Sequence, residues 1–418
     1  MQLSHHDIHV LRNLASRCRR IADAPNNMEL KQRWTRLNDL KHSGPPLLLV
    51  SPEGSWREIN ATIPVECESQ LARQWEVSLR QTLFRHDTIQ DDSAFDPTFT
   101  VEWPVMIGDF GIPFKQSHSD QHDGAYHDEP VLQNLDSDLE KLRFRTITVD
   151  REIGARNVDL ARNTFGDLLS IQAPSTYWWT CGLTWTAIRL LGLENLMLAM
   201  YDNPDGLHRL MKFLSDDMLN LITFFEREGL LHYNNSGDGV GSGNLGYTNQ
   251  LPSRESSDNG PVKLKQLWGF AESQETVGVA PDMFGEFIFP YQFPLLEQFG
   301  LNYYGCCEAS ESRWKYLSKI PNLRCLSVAP WSDQARCSDL FGRNYVYCRK
   351  PNPSPVCMGF NEAEIRKEFK ETLLHAGHLN TVTILKDTHT VENDISRFAR
   401  WVKLGREVFG GRGGRPTR

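Results

Sequence analysis

Two thiols and a carboxylate stand together in "NYYGCCEASESRW": Cys306, Cys307 and Glu308. Adjacent cysteines rarely bridge each other, because the geometry is strained. The pair therefore reads as metal ligand, nucleophile or buried packing. Other chemistry-bearing residues also follow short apolar runs. "LLHYNNSGDG" ends in Asn234, Asn235 and Asp238, and "LWGFAESQE" in Glu272 and Gln274. "VTILKDTHT" ends in Lys386, Asp387 and His389. Thiolate, imidazole and carboxylate together suit zinc, which accepts S, N and O ligands. Cys306, Cys307, His389 and Glu308 are the candidate ligands. Three protein ligands with an open fourth position would make such a zinc catalytic. The plainer alternative is that Cys306 packs as a small hydrophobe, Cys307 faces the helices and His389 is inert.

Those runs must be held by a frame. Apolar positions Ile8, Leu11, Leu14, Cys18 and Ile21, then Leu30, Trp34, Leu37 and Leu40, predict two helices before "SGPP". "LLLV" at 47–50 predicts a short buried strand, and Leu71, Trp75, Leu79 and Leu83 a third helix. From "FTVEWPVMIGDFG" onward strands and amphipathic helices alternate. One helix stripe carries Leu207, Leu210, Met211, Leu214, Met218 and Leu221, and "EREGLLHYNNSGDG" reads as helix end, strand and loop. Asn361 and Glu364 form a capping pair before a helix that ends near Gly377. Repeated strand–helix units imply a parallel sheet, and their number suits an α/β fold of the (β/α)8 TIM-barrel type with a mainly helical N-terminal segment. The expected division is a helical segment at 1–95 packing on the barrel, a barrel at 96–409 and a disordered tail at 410–418. In such a barrel the chemistry sits at the C-terminal ends of the strands. The polar strand ends above would then face one cavity, with Tyr304 beside the thiols.

Three further stretches bear on substrate. "HSDQHDGAYHDEP" carries His118, His122 and His127 with Asp120, Asp123 and Asp128, and reads as a lid over the cavity or as an exposed connector. Trp178, Trp179 and Trp185 in "YWWTCGLTW" could stack on a planar substrate or pack in the core. "GSGNLG" matches the dinucleotide pattern, but no amphipathic helix follows it, so it reads as a flexible loop.

Composition narrows the classes. The 418 residues are 40% hydrophobic and 23% charged, with a net charge of -8. An acidic chain gains nothing from phosphate backbones, which argues against nucleic acid. No apolar run approaches a membrane span, and the N-terminus lacks a secretory pattern. The nine cysteines have no framework spacing and read as reduced thiols of a cytoplasmic protein. A homodimer is compatible with all of this.

The stretch from about Phe99 to Val408 resembles the uroporphyrinogen decarboxylase superfamily, which includes corrinoid-dependent methyltransferases. The resemblance rests on "YHDEPVLQNLDSDLEKL", "LLGLENLMLAMYDNPDGLHRLMKFL", "APDMFGEFIFPYQFPLLEQFGLNYYGCCE", "GRNYVYCRKPNPSPV" and "ILKDTHTVENDISRFARWV", in that order. It covers roughly three quarters of the chain and implies a (β/α)8 barrel. The decarboxylase's arginine-rich motif is missing, and "FTVEWPVMIGDFGIPF" occupies its region. The methyltransferases hold zinc through H-x-C and a later Cys; here "YGCC" and "KDTHT" stand at those places. The resemblance implies a zinc-dependent methyltransferase component that exchanges a methyl group with a separate corrinoid protein. Asp238, Glu272, Asp387 and Lys386 would be catalytic. Asn235, Gln274, Trp178, Tyr304 and His127 would contact the small-molecule substrate. The alternative is a cofactor-free decarboxylase or lyase. There Asp238, Glu272 and Asp387 do acid–base work, and Arg349 or Lys350 holds carboxylates. A third reading is a non-catalytic barrel.

Overall fold

A computed structural model describes residues 3–118, 126–173, 178–252 and 260–410. Eight short strands run parallel, and they are numbered here as β1 Leu47–Val50, β2 Thr98–Thr100, β3 Ser170–Gln172, β4 Trp268–Ala271, β5 Leu301–Tyr304, β6 Leu323–Val328, β7 Val346–Arg349 and β8 Asn380–Leu385. Six of them form one sheet in the order β1-β8-β7-β6-β5-β4, so the first strand lies beside the last. β2 and β3 form a separate parallel pair. The architecture is therefore mixed α/β around a parallel central sheet. Strand pairing among the described residues does not close it into a ring.

Side chains take the place of ladder partners at the two open edges. Beside β1, the carboxylates of Asp92 and Asp91 accept from Leu48 N and Val50 N, each at 2.8 Å. Beside β4, the Asn234 carboxamide accepts from Trp268 N at 2.9 Å and donates to Trp268 O at 3.1 Å. The segment "LLHYNN", expected to be a strand, forms none for this reason: an Asn side chain supplies the pairing that its backbone does not. Edge amides left bare would each cost about 1–3 kcal/mol if buried.

The strands read as continuous apolar runs because both faces are covered. One face carries Leu47, Leu49, Trp268, Phe270, Leu301, Tyr303, Cys325, Val346, Cys348, Val382 and Ile384, packed as one cluster with Trp34 and Leu37. The alternate positions Leu48, Val50 and Leu385 pack under the helices Glu362–Ala376 and Ser396–Phe409, against Phe369, Phe398 and Trp401. Each such side chain fully buried contributes about 1.5–3 kcal/mol. The predicted N-terminal helices are present at His5–Asp23, Pro25–Asn38 and Gln70–Phe84. The segment before residue 95 supplies β1 to the central sheet as well as these helices. Asn361 caps its helix by accepting from Glu364 N at 3.2 Å. No described helix is long and apolar enough to cross a membrane. The tail at 411–418 lies outside the described residues.

Candidate functional site

β5 ends at Tyr304, and a regular strand would send Cys306 and Cys307 to opposite faces. Gly305 breaks that alternation with φ +96°. A Cβ there would come within 2.9 Å of Ser310 Oγ and 3.1 Å of Ser327 Cβ, so both the turn and the fit call for glycine. After the turn the two sulfurs sit on one side, 3.7 Å apart. The plainer alternative in which Cys307 faces the helices, away from Cys306, does not hold after this bend.

Glu308 locks the turn. Its two carboxylate oxygens accept from Ser273 N and Cys306 N, both at 2.8 Å, and it is 1% exposed. Ser273 is held in turn by Arg313, whose guanidinium donates to Ser273 Oγ at 2.5 Å. Glu308 is thus a clamp between β4 and β5.

Three other chain segments reach Cys306, and a fourth holds Lys386. From the end of β8, Lys386 Nζ lies 3.9 Å from the Cys306 sulfur. From the end of β7, the buried Lys350 reaches Cys306 O at 3.4 Å and lies 5.6 Å from the centre of the Tyr303 ring. From the turn after β1, Glu53 pairs with Lys386 at 3.1 Å and accepts from Asp387 N at 2.9 Å. From the hairpin Gly239–Val240/Asn244–Leu245, Ser242 donates to the Cys306 sulfur at 3.0 Å. The hairpin enters the sheet interior closely: Gly241, at φ +59°, lies against the Tyr303 ring, and a Cβ would come within 2.2 Å of it. The GSGNLG stretch is therefore a buried structural turn and not a flexible loop.

These neighbours set the protonation. The Cys306 thiol is lowered to about 6 because Cys307 donates to it, and Lys350, Lys386 and Ser242 add to this against the opposing effect of burial. Cys307 is raised, since it keeps the shared proton and is half-buried. Its sulfur also lies 3.7 Å from Asp387 Oδ2. Burial opposes the charge of Lys386, but Cys306, Glu53 and Asp387 outweigh it and raise its pKa. Glu272 differs: burial, then Glu275 and Glu308, push it well above the usual carboxyl range, and its Oε1 has no hydrogen-bond partner among the described residues. Its charged form is disfavoured.

The structure thus brings Cys306, Cys307, Lys386 and Asp387 together, with Glu272 electrostatically linked to them. Other expected members are placed elsewhere. The His389 ring is exposed beside Gly54. Asp238 belongs to another cluster, with Ser236 at 3.1 Å and His232 at 3.6 Å. Asn235 is spent on the carbonyls of Leu251 and Pro252. Tyr304 is buried among helix-side residues, where it donates to Gln292 at 2.9 Å. Trp178 packs 5.8 Å from Phe225 and 6.3 Å from Phe299, which makes it core. Gln274 donates to Glu275 at 3.3 Å. His127 lies opposite Ser117 in the antiparallel ribbon Lys115–His118/Tyr126–Glu129, while Asp120, His122 and Asp123 lie outside the described residues.

The expected zinc set does not fit this arrangement. Glu308 spends both oxygens on amides, His389 is turned away, and two ammonium groups press on Cys306. Among the described residues no three His, Cys, Asp or Glu side chains gather so as to hold a metal ion. Glu53 and Ser242 went unforeseen. They come from turns distant in sequence, and their only local signal is the glycine pair flanking Ser242.

No protein-family model matches the chain. No curated protein matches it either. Among solved structures, a methyltransferase from Methanosarcina mazei is similar, with a TM-score of 0.49 and 11% identity, covering 90% of this chain and 98% of that one. A likeness of that degree carries no argument about this chain's activity.

Proposed function

We propose that this chain is an enzyme of methyl transfer in which the Cys306 sulfur is the reacting group. The observation that carries the reading is a buried thiol lowered to about 6, with the Lys386 ammonium 3.9 Å away and Lys350 behind it. A thiolate is a soft nucleophile suited to attack at a methyl carbon. Its lone pair forms the S–CH3 bond, and the electrons of the CH3–X bond leave with X. Lys386 gives X its proton and takes another from solvent. Passing the methyl group to a second acceptor restores the thiolate. The separate corrinoid protein implied by the family resemblance is the partner that would exchange the methyl group. No step is assigned to zinc, because the donor set does not fit it.

The test offers free cob(I)alamin as acceptor and a panel of methylated thiols, amines and phenol ethers as donors. Methyl transfer that disappears in Cys306→Ser is the expected result. Undiminished transfer in that variant would refute the role of Cys306.

Glu272, with its raised pKa, favours one other reading, a lyase or decarboxylase in which it is the proton donor and Lys350 holds a substrate carboxylate. CO2 release lost in Glu272→Gln but kept in Cys306→Ser would select it.

A further inference from the structure

The two sulfurs form a bidentate site with a missing third donor, and this defines what the site can take. A divalent metal of the zinc type needs three or four donors, and the described residues do not supply them. A linear S–metal–S unit with bonds of about 2.3 Å would need its sulfurs about 4.6 Å apart. Here they are 3.7 Å apart, which calls for a bent unit. A direct S–S bond between neighbouring residues is strained. What remains is a three-coordinate, pyramidal, thiophilic centre that brings its own third substituent. Trivalent arsenic carrying one organic group meets that description.

We propose that Cys306 and Cys307 form a dithiol site for monosubstituted arsenic(III) compounds. Cys307 is partly exposed and Cys306 lies just behind it at 2% exposure, so an arsenical entering from the Asp387 side meets Cys307 first. For an arsenoxide R–As=O, the two sulfurs form two As–S bonds and the As=O bond breaks. The oxygen leaves as water, taking the Cys307 proton and one proton from solvent. Arsenic stays trivalent, and no oxidant or reductant is needed. The seven remaining cysteines are all buried. The nearest comparable pair, Cys325 and Cys348 on β6 and β7, is enclosed within the sheet interior. This inference does not depend on methyl transfer, and its test involves no turnover.

The experiment treats the native full chain with one equivalent of phenylarsine oxide and follows intact mass, then maps the adduct by peptide. One arsenical per chain is expected on the peptide containing both cysteines, stable to excess glutathione and removed by 2,3-dimercaptopropanol. Cys306→Ser and Cys307→Ser should each retain it about a hundredfold less well, as expected when a two-point attachment becomes one-point. Cys325→Ser should retain it fully. The peptide map of the wild-type chain decides the matter if a Ser variant folds poorly. No adduct, an adduct on another peptide, or retention equal to wild type in folded Cys306→Ser or Cys307→Ser would overturn the proposal.

Discussion

Cys181 and Cys306 are both buried thiols beside the ends of neighbouring strands, yet they differ in chemistry. Cys181 sits next to β4, its amide donating to Phe270 O at 2.7 Å. Burial raises its thiol to about 12, with only a weak opposing contact from Trp178. Cys306 is almost as inaccessible, but its thiol is lowered to about 6. Burial disfavours the thiolate in both. The difference is what reaches the sulfur: a second thiol, a hydroxyl and two ammonium groups for Cys306. A second pair teaches the same lesson for carboxyls. Glu308 spends both oxygens on amides, whereas Glu272 has one oxygen unpartnered among the described residues and a raised pKa. In this molecule reactivity follows the partners that converge on a group more than its depth.

Three changes test how far that contrast holds. The largest effect is expected for Glu308→Ala. It leaves the amides of Ser273 and Cys306 without their acceptor, at about 1–3 kcal/mol each. Urea unfolding should show a loss of roughly 2–5 kcal/mol, and native Cys306 should react as slowly as Cys181. Next is Glu272→Gln. A carboxyl whose folded pKa is raised contributes stability below its unfolded value of about 4.5 and loses it as pH rises from there toward the folded value. Gln does not titrate, so in thermal unfolding the variant should gain on wild type as pH rises above 4.5 and match it at pH 4. A constant difference across that range would show that Glu272 is ionised. The smallest effect is expected for His389→Ala. The ring is exposed, so stability should change by less than about 0.5 kcal/mol and Cys306 reactivity not at all. A large loss in either would restore His389 to the site.

Much of the frame was legible because it is local. The stripe from Leu71 to Leu83, the Asn361 cap and the apolar run at Leu47–Val50 each express one element's own periodicity. The thiols and the Lys386–Asp387 pair were legible as polar residues ending apolar runs. What could not be read is long-range. Asn234 imitates a strand with its side chain, which the pattern of "LLHYNN" does not distinguish from a real strand. Ser242 reaches Cys306 from a turn 64 residues before it, and Glu53 reaches Lys386 from the turn after β1. Glu308 and His389 have the right types for zinc, but one is spent on backbone amides and the other turned outward. Residue type was visible in the sequence and direction was not.

A proton-sharing thiol and converging cations lower the Cys306 thiol to about 6, so that it is a thiolate at neutral pH. The most direct measurement is the pH profile of iodoacetamide labelling in the native chain, read peptide by peptide, for wild type and Lys386→Met. Labelling of Cys306 is expected with a midpoint near 6, moving upward by about one unit or more when the Lys386 charge is removed. Labelling of Cys306 only above about pH 8.5, the range of an ordinary thiol, or a midpoint unmoved by Lys386→Met, would contradict it.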